Sequence, residues 1–449
     1  MSNRVRQRFI HGLGATALGP IVTILVQVIG VPIFLHAWGL KLYGEWLVLS
    51  AIPSYLAFSD VGFGNVAAND MTMRVASGDR RGALETFQST WLFISFSSLT
   101  VLLGFYAGAW FLPIGRWLNL NSITPAETRT ILILLCTYAI LCLQGDLLTS
   151  GFRCEGNYAL GMLIKNTVRL TESLTVIGMV AFRANPMEAA AAYMAIRLVG
   201  TPIMGWIMVH KSPWLRFGFS HATLKCTKAL AVPAIAYVAF PAGSLLSIQG
   251  MVLVIAAVLG PIAVATFSTM RTLTRFGFQI MEAVKNSVWP ELSAAYGEQN
   301  WGLARRLHRV ACQASLWSSI GTVIFLYFAG NRIVAIWTHG RIVMDVPAFH
   351  WLLLVILANS FWYTSSVVTV ASNTHERVAA VYLAGTAASL FIARLLMPHF
   401  GISGAAIALL AIDIVVGWYV LSRSLTTLSE SAGEFSASMF RLPELGFRK

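Results

Sequence analysis

VTILVQVIGVPIFLHAWGLKLYGEWLVLSAIPSYLAF, residues 22–58, consists of a long apolar segment, a glycine-containing turn and a second apolar segment. Residues 243–279, GSLLSIQGMVLVIAAVLGPIAVATFSTMRTLTRFGFQ, follow the same order. When the two stretches are aligned without gaps, Gly39 meets Gly260 and Trp46 meets Phe267. Each stretch would begin one half of the chain, so we predict an internal repeat.

Around these stretches the chain is apolar throughout. Of its 449 residues, 57% are hydrophobic and 11% are charged, whereas a soluble domain carries about 25% charged residues. Runs long enough to cross about 30 Å of hydrocarbon predict an all-α integral membrane protein with twelve transmembrane helices in two pseudo-symmetric six-helix bundles. The predicted spans are 14–36, 44–66, 87–112, 128–150, 158–182, 189–210, 230–257, 262–288, 311–336, 348–371, 379–398 and 403–424.

Six spans per half give both halves the same orientation, related by an axis along the membrane normal. We therefore predict an N-terminal bundle over 1–218, a C-terminal bundle over 219–424 and a flexible cytoplasmic tail over 425–449. The basic segment 211–228 is the natural join. Lys and Arg outside the spans concentrate on the side of the two termini, which predicts that both termini are cytoplasmic.

The composition and motifs also exclude several classes of protein. The net charge of +13 fits the basic cytoplasmic loops of a membrane protein, and no nucleic-acid-binding motif accompanies it. The sequence has no phosphate-binding loop for ATP and no nucleophile turn. Its five cysteines form no close pair. We expect no catalytic residue, no cofactor and no metal site.

Seven cationic side chains fall inside the predicted spans, where a charge at the bilayer centre costs roughly 2.5–3.5 kcal/mol. They must therefore face a protein interior or a wet cavity rather than lipid. Such a cation-lined interior suggests passage of an anion. The seven are Lys165, Arg169, Arg197, Arg271, Arg275, Lys285 and Arg394.

Five of them form the predicted cationic substrate cavity: Arg271, Arg275, Arg169, Lys165 and Arg197. Arg271 and Arg275 are four residues apart and share one helix face. Lys165, Arg169 and Glu172 share a face in the same way, so Glu172 could instead neutralise one of these two cations. Arginine suits a phosphate ligand because its planar fork binds two oxygens and stays charged. Lys285 and Arg394 lie near span ends, where long side chains reach the interface.

The acidic residues leave two alternatives open. Asp413 near mid-membrane could carry a proton or pair with Arg394, and Glu172 is the other candidate for ion coupling. Asp60 lies beside Gly62 and Gly64, which predict a gate or helix-breaking elbow rather than a coupling site. Pro32 predicts a bend in the first span that could take part in the change between inward- and outward-open states; the alternative is a packing kink only.

The run VPIFLHAWGLKLYGEWLVLSAIPSYLAFSDVGFGN, residues 31–65, resembles the first two spans of polysaccharide-unit flippases. IAAVLGPIAVATFSTMRTLTRF, residues 255–276, resembles their seventh-to-eighth region. These are O-antigen (Wzx-type) proteins of the multidrug/oligosaccharidyl-lipid/polysaccharide (MOP) exporter superfamily. The chain departs from related lipid II flippases, which usually have fourteen spans, and from drug exporters with acids in the first or seventh span.

This resemblance implies a V-shaped pair of bundles around a central cavity in the bacterial inner membrane. It implies transfer of an undecaprenyl-pyrophosphate-linked oligosaccharide across that membrane, for O-antigen, exopolysaccharide or capsule synthesis. The implied partners are this substrate, membrane lipids and the polysaccharide polymerase and chain-length machinery, with no nucleic acid. The alternative is a cation-coupled drug or metabolite exporter. A membrane glycosyltransferase or polymerase is disfavoured because no large aqueous loop is present.

Overall fold

The computed structural model describes residues 3–60, 62–111, 113–372 and 376–439. These residues are almost entirely helical and include no β-strand. The helices of the first part of the chain are α1 (Asn3–Ala51), α2 (Phe63–Ala76), α3 (Arg80–Phe111), α4 (Ile114–Trp117), α5 (Pro125–Cys154), α6 (Tyr158–Ala181) and α7 (Pro186–Lys211). They continue with α8 (Leu224–Leu245), α9 (Met251–Leu259), α10 (Pro261–Gly297), α11 (Trp301–Trp337), α12 (Val346–Trp362), α13 (Ser366–Ala371), α14 (Glu376–Phe400), α15 (Ile402–Leu428) and α16 (Ala432–Met439).

The predicted spans coincide with these helices, which confirms the fold class. Eight helical segments of the described chain are long and apolar enough to cross a membrane. One of them, Val22–Leu56, includes most of the first predicted span and about half of the second. The remaining spans correspond to α6 and α10, which carry several charges, and to α12, which is short and is followed by α13.

The glycine turns at the start of each half have the same backbone conformation. Gly39 has φ 72° and ψ 175°, and Gly260 has φ 85° and ψ 176°. Essentially only glycine adopts this region without strain. The two residues aligned by the sequence repeat therefore make the same turn, which supports the internal repeat independently of side-chain similarity.

Contacts divide the chain into two compact units, Met1–Val238 and Ala239–Lys449. The first unit has a core of fully buried side chains from α3, α5 and α7, among them Phe87, Leu147 and Met208. The predicted join lay at 218/219, whereas the division falls inside α8. The physical reason is that the first turns of α8 pack with Phe63 of α2, through Cys226, Leu230 and Ala234.

The tail expected to be flexible from 425 is ordered as far as the structure describes it. Helix α15 continues to Leu428, and α16 follows it. Phe435 and Met439 of α16 are buried against Cys312 and Leu316 of α11. These two apolar side chains, four residues apart on one helix face, are the reason that the segment packs. Residues 440–449 lie outside the described residues.

Candidate functional site

A row of polar residues follows one face of α10, the eighth span. Their spacing of four, three, four, three and four residues keeps them on one side of the helix. The row extends over about 27 Å at 1.5 Å per residue, which is close to the thickness of a bilayer core. We call it the polar stripe: Ser268, Thr272, Arg275, Gln279, Glu282 and Asn286.

The opposite face of α10 fixes the direction of the polar stripe. Phe267, Met270 and Met281 are fully buried there, and a side chain at Gly277 would meet Ile356 of α12. On the stripe, Arg275, Glu282 and Asn286 are exposed. The stripe therefore points away from the packed interior of its unit, and its polarity suits water rather than lipid.

Arg275 is the cation of the polar stripe. It is exposed, and it forms no hydrogen bond or ion pair with the residues that the structure describes. Arg271, one turn earlier, is partly buried and has partners without charge. Its guanidinium donates to the carbonyl oxygen of Ser247 at 2.7 Å and to Ser247 Oγ at 3.1 Å. Neither arginine forms an ion pair with a carboxylate of the described chain, although Asp413 lies near enough to Arg271 to interact with its charge. Arg275 is therefore the arginine of this pair that is better placed to act on an anion.

The residue that holds Arg271 belongs to an unusual segment of the seventh span. Between α8 and α9, Leu246–Gly250 forms a π-helical turn. Such turns are rare and are often found at functional sites. Because Arg271 donates to a carbonyl within the turn, it ties α10 to the point where the seventh span changes its helical geometry.

Two of the predicted cavity cations, Lys165 and Arg197, form ion pairs within the first unit. Lys165 Nζ forms an ion pair with Asp146 of α5, and both side chains are substantially exposed. Arg197 of α7 forms an ion pair with Glu172 of α6, with 2.6 Å between Arg197 Nε and Glu172 Oε1. Tyr138 of α5 donates to the same carboxylate at 3.1 Å, and the Arg197 guanidinium lies 5.5 Å from the Tyr138 ring centroid.

These pairs revise the predicted cavity. Arg197 is only 7% exposed and Glu172 is fully buried, so Arg197 joins three helices and does not face a cavity. Glu172 neutralises Arg197 of the next helix, not Lys165 or Arg169 of its own. Arg169 is exposed and forms no ion pair with the described residues. Of the three cavity cations predicted in the first unit, it is the one without an ion pair among the described residues.

Asp413 of α15 accepts a hydrogen bond from the side-chain amide of Asn359 on α12. It forms no ion pair with Arg394, which is exposed on α14. Of the two sequence alternatives, the pairing with Arg394 is therefore absent. Lys285 lies 4.4 Å from the Tyr363 ring centroid and donates to Ser366 Oγ at 3.0 Å, at the interruption between α12 and α13.

The backbone departs from α-helical geometry around Asp60, Gly62 and Gly64, the residues for which the sequence predicted an elbow. A 3-10 segment, Pro53–Asp60, precedes α2, and Gly62 adopts the left-handed conformation with φ 76°. Asp60 accepts from the backbone N–H groups of Gly62 at 3.0 Å and Gly64 at 3.4 Å, and so caps the start of α2. Pro32 lies inside α1, where Gly39 is the non-helical residue.

No group of three metal-ligating side chains is found within the described ranges. The sequence pattern predicted a cavity role for Arg275 but not its alignment with Gln279, Glu282 and Asn286. The signal that it missed was the alternation of three- and four-residue steps between polar side chains along one apolar run.

No family model matches the sequence, and no curated protein matches it. Solved structures do. The inward-facing conformation of a multidrug resistance MATE family transporter of the MOP superfamily matches with a TM-score of 0.75 at 14% identity, over 90% of this chain and 94% of that chain. The outward-facing conformation of a transporter so described gives 0.59 at 15% identity, over 94% and 95%.

A third solved structure is a MOP superfamily transporter from Pyrococcus furiosus, whose reversed binding-pocket polarity is said to suggest a different function. It matches with a TM-score of 0.58 at 16% identity, over 94% of both chains. This chain has the fold of the MOP transporters. At these identities the likeness concerns the fold, and the substrate has to be argued from the residues.

Proposed function

We propose that the chain is a flippase that moves an undecaprenyl-pyrophosphate-linked oligosaccharide across the bacterial cytoplasmic membrane by alternating access. The observation that carries this proposal is the polar stripe of α10 with its unpaired cation, Arg275. A continuous polar row across a membrane-spanning helix offers a path for hydrophilic groups. An arginine fork on that row suits the oxygens of a diphosphate.

The face of α10 next to the polar stripe suits the other part of such a substrate. Phe276 and Ile280 are exposed apolar residues, each one position further along the helix than a stripe residue. The helix thus exposes a polar face beside an apolar face. A lipid-linked sugar needs both surroundings, because its headgroup must cross a polar path while its polyprenyl chain stays in hydrocarbon.

The fold supports movement as well as binding. MATE transporters of this fold are known in inward-facing and outward-facing conformations. This chain has breaks that can absorb a change of backbone angle: the elbow at Asp60 and Gly62, and the π-helical turn at Leu246–Gly250. In this proposal the elbow acts as a gate. Arg271, Arg169 and Lys165 add positive potential, and Lys165 has to exchange Asp146 for the substrate.

A second candidate function is a cation-coupled drug or metabolite exporter. The observation that favours it is Asp413, a carboxylate within a membrane-spanning helix that is held by the Asn359 amide and has no ion-pair partner in the described chain. A carboxylate in that position can bind a proton or a metal cation. Glu172 is less suited to coupling because Arg197 already neutralises it.

Binding of undecaprenyl pyrophosphate by the purified full-length protein tests the main proposal, with undecaprenol as the uncharged reference. Arg275→Gln should weaken binding about 10- to 100-fold, the value of one or two hydrogen bonds to a charged group. Arg394→Gln is the matched control, since Arg394 is an exposed arginine of a spanning helix that lies off the stripe. The double variant Arg271→Glu/Arg275→Glu should abolish polysaccharide export in cells while the protein remains inserted.

Equal binding of the pyrophosphate and the alcohol, or export that survives the double charge reversal, would overturn the proposal. Resistance to cationic drugs in cells that overproduce the chain, lost in Asp413→Asn, would instead establish the second candidate.

A further inference from the structure

The linker between α7 and α8 is folded onto the first unit. The side-chain amide of Gln88 on α3 bonds to both ends of one linker turn, donating to the Arg216 carbonyl at 3.1 Å and accepting from the His221 N–H at 2.8 Å. Ser89 accepts from the Thr223 N–H at 2.9 Å. These bonds give the linker a fixed conformation, so its side chains form a defined surface.

Aromatic side chains of the linker lie along α3. The ring centroids of Phe217 and Phe219 lie 5.8 and 5.2 Å from that of Trp91. Despite these contacts, Phe219 is 62% exposed, and Leu224 at the start of α8 is 69% exposed. Hydrogen bonds therefore hold two large apolar side chains outside the packed core, next to the ends of two membrane-spanning helices.

The same stretch is strongly basic. Residues 211–228 contain no Asp or Glu, and their four cations are Lys211, Arg216, Lys225 and Lys228. All four are exposed, and none forms an ion pair with the described residues. Two carboxylates from other elements bond to uncharged groups of the linker, and neither forms an ion pair with its four cations. Glu85 accepts from the Thr223 hydroxyl, and Glu155 accepts from Trp214 Nε1 at 2.7 Å.

We propose that residues 211–228 form a docking surface for anionic phospholipid headgroups, in the leaflet where α7 ends and α8 begins. Cations beside exposed apolar side chains are the composition of segments that lie in a membrane interface. Phe219 and Leu224 would enter the boundary between headgroups and acyl chains, while the lysines and Arg216 meet the phosphates. The surface continues directly from two spanning helices, so headgroups are the partner that its position supplies.

The test is the binding of phosphatidylglycerol to the full-length protein, measured by native mass spectrometry after purification and in nanodiscs of stated lipid composition. Arg216→Gln/Lys225→Gln/Lys228→Gln should weaken phosphatidylglycerol binding about 100-fold at low ionic strength, since each cation near an anionic surface contributes a several-fold factor. Binding of phosphatidylcholine should stay unchanged. Lys41→Gln/Arg183→Gln/Arg332→Gln removes three exposed cations elsewhere and should leave phosphatidylglycerol binding at the wild-type level.

An unchanged melting temperature in both triple variants shows that folding is not the cause. Phe219→Ser provides a second variant, which should weaken retention of the lipid without changing the charge. Equal retention of phosphatidylglycerol by the wild type and the linker variants would overturn the proposal. The proposal would also be overturned if the linker variants kept wild-type lipid binding but lost a protein that co-purifies with the wild type. The surface would then be a protein interface.

Discussion

At the scale of single residues, the pair of Glu172 and Arg197 is the clearest case of charge neutralised inside the fold. The two side chains come from neighbouring helices, and both are almost completely buried. A buried ion pair contributes little net stability, because desolvation offsets the attraction. Removal of one partner is strongly destabilising, however, because the remaining charge is then buried without an opposite charge.

We therefore expect Arg197→Gln and Glu172→Gln to lower the free energy of unfolding by about 3–5 kcal/mol each. The double variant should recover most of this loss, because two amides can hydrogen-bond without a buried charge. Thermal unfolding in detergent, followed by tryptophan fluorescence, measures both effects. Lys165→Gln serves as the control. Its pair with Asp146 is more exposed and should contribute less than about 1 kcal/mol. Additive losses in the double variant would contradict this account.

The spacing of charges along one helix did not reveal this pair. It placed Glu172 on the face of Arg169 and Lys165, which is correct geometry within α6. The actual partner is contributed by α7, and its choice depends on how the two helices pack. A pattern within one helix cannot reveal such a contact, which is why the sequence placed Arg197 in the cavity although its side chain is buried against Glu172.

At the scale of helices and turns, Gly39 and Gly260 adopt the same backbone conformation, which favours glycine at both positions. Gly39→Ala and Gly260→Ala should each lower the free energy of unfolding by about 1–3 kcal/mol, because the backbone conformation of both residues is strained for any residue with a β-carbon. Space is not the reason, since an added β-carbon would meet nothing within 4 Å at either position. Gly104→Ala is the matched control, because it lies in α3 with equally open surroundings and should be neutral or stabilising. Similar losses at all three glycines would argue against backbone strain.

Arg271 stabilises the π-helical turn through its hydrogen bonds to Ser247, whereas Arg275 makes no bond to that turn. Without the guanidinium, the Ser247 carbonyl loses a charge-assisted hydrogen bond of about 1.5–3 kcal/mol. Amide hydrogen exchange at residues 246–251 should then become roughly 10- to 100-fold faster in Arg271→Gln. Arg271→Lys should restore protection only in part, because it lacks the fork that reaches both Ser247 oxygens.

Arg275→Gln provides the comparison for this experiment. It removes an arginine one turn away that has no bond to the seventh span, so exchange at 246–251 should keep its wild-type rate. If Arg271→Gln and Arg275→Gln accelerate amide exchange equally, the hydrogen bonds of Arg271 do not specifically stabilise the turn. Because the readout involves no substrate, it stays informative whether or not the proposed transport function holds.

At the scale of the whole molecule, the C-terminal segment closes the second unit through Glu430. Its side chain is fully buried and accepts from Arg309, which also donates to Glu434 at 3.1 Å. Nδ1 of His308 lies 3.7 Å from Glu430 Oε2. Burial raises the pKa of Glu430, but the contacts with His308 and Arg309 outweigh it, so that this pKa lies below the ordinary 4.5.

A lowered pKa means that the folded state favours ionised Glu430. The resulting stability is present above pH 4.5 and is lost as the pH falls through the pKa of the folded state. Glu430→Gln should therefore be less stable than the wild type by about 1–3 kcal/mol near neutral pH, and the difference should shrink in acid. Melting temperatures measured as a function of pH test this, with Glu434→Gln, 70% exposed, as the control expected to change little. A difference that stays constant into acid would exclude the ionised contact as its source.

The sequence predicted the spans and the glycine turns because hydropathy and backbone freedom are local properties. The elbow at Gly62 was visible for the same reason. The π-helical turn was not, since nothing in LSIQG distinguishes it from an ordinary helical turn and its support comes from Arg271, 24 residues further on. The packed tail was missed because its serine-rich composition hid Phe435 and Met439, whose four-residue spacing was the available signal.

The extension of the first compact unit to Val238 has a consequence for any attempt to divide this protein into fragments. A cut in the linker at 218/219 would leave the N-terminal fragment without Cys226, Leu230 and Ala234, which complete the hydrophobic cluster around Phe63. The C-terminal fragment would begin with a helix that carries those three residues without Phe63, against which they pack. Two such polypeptides made together would complement each other through that end, and would stay associated without a covalent link.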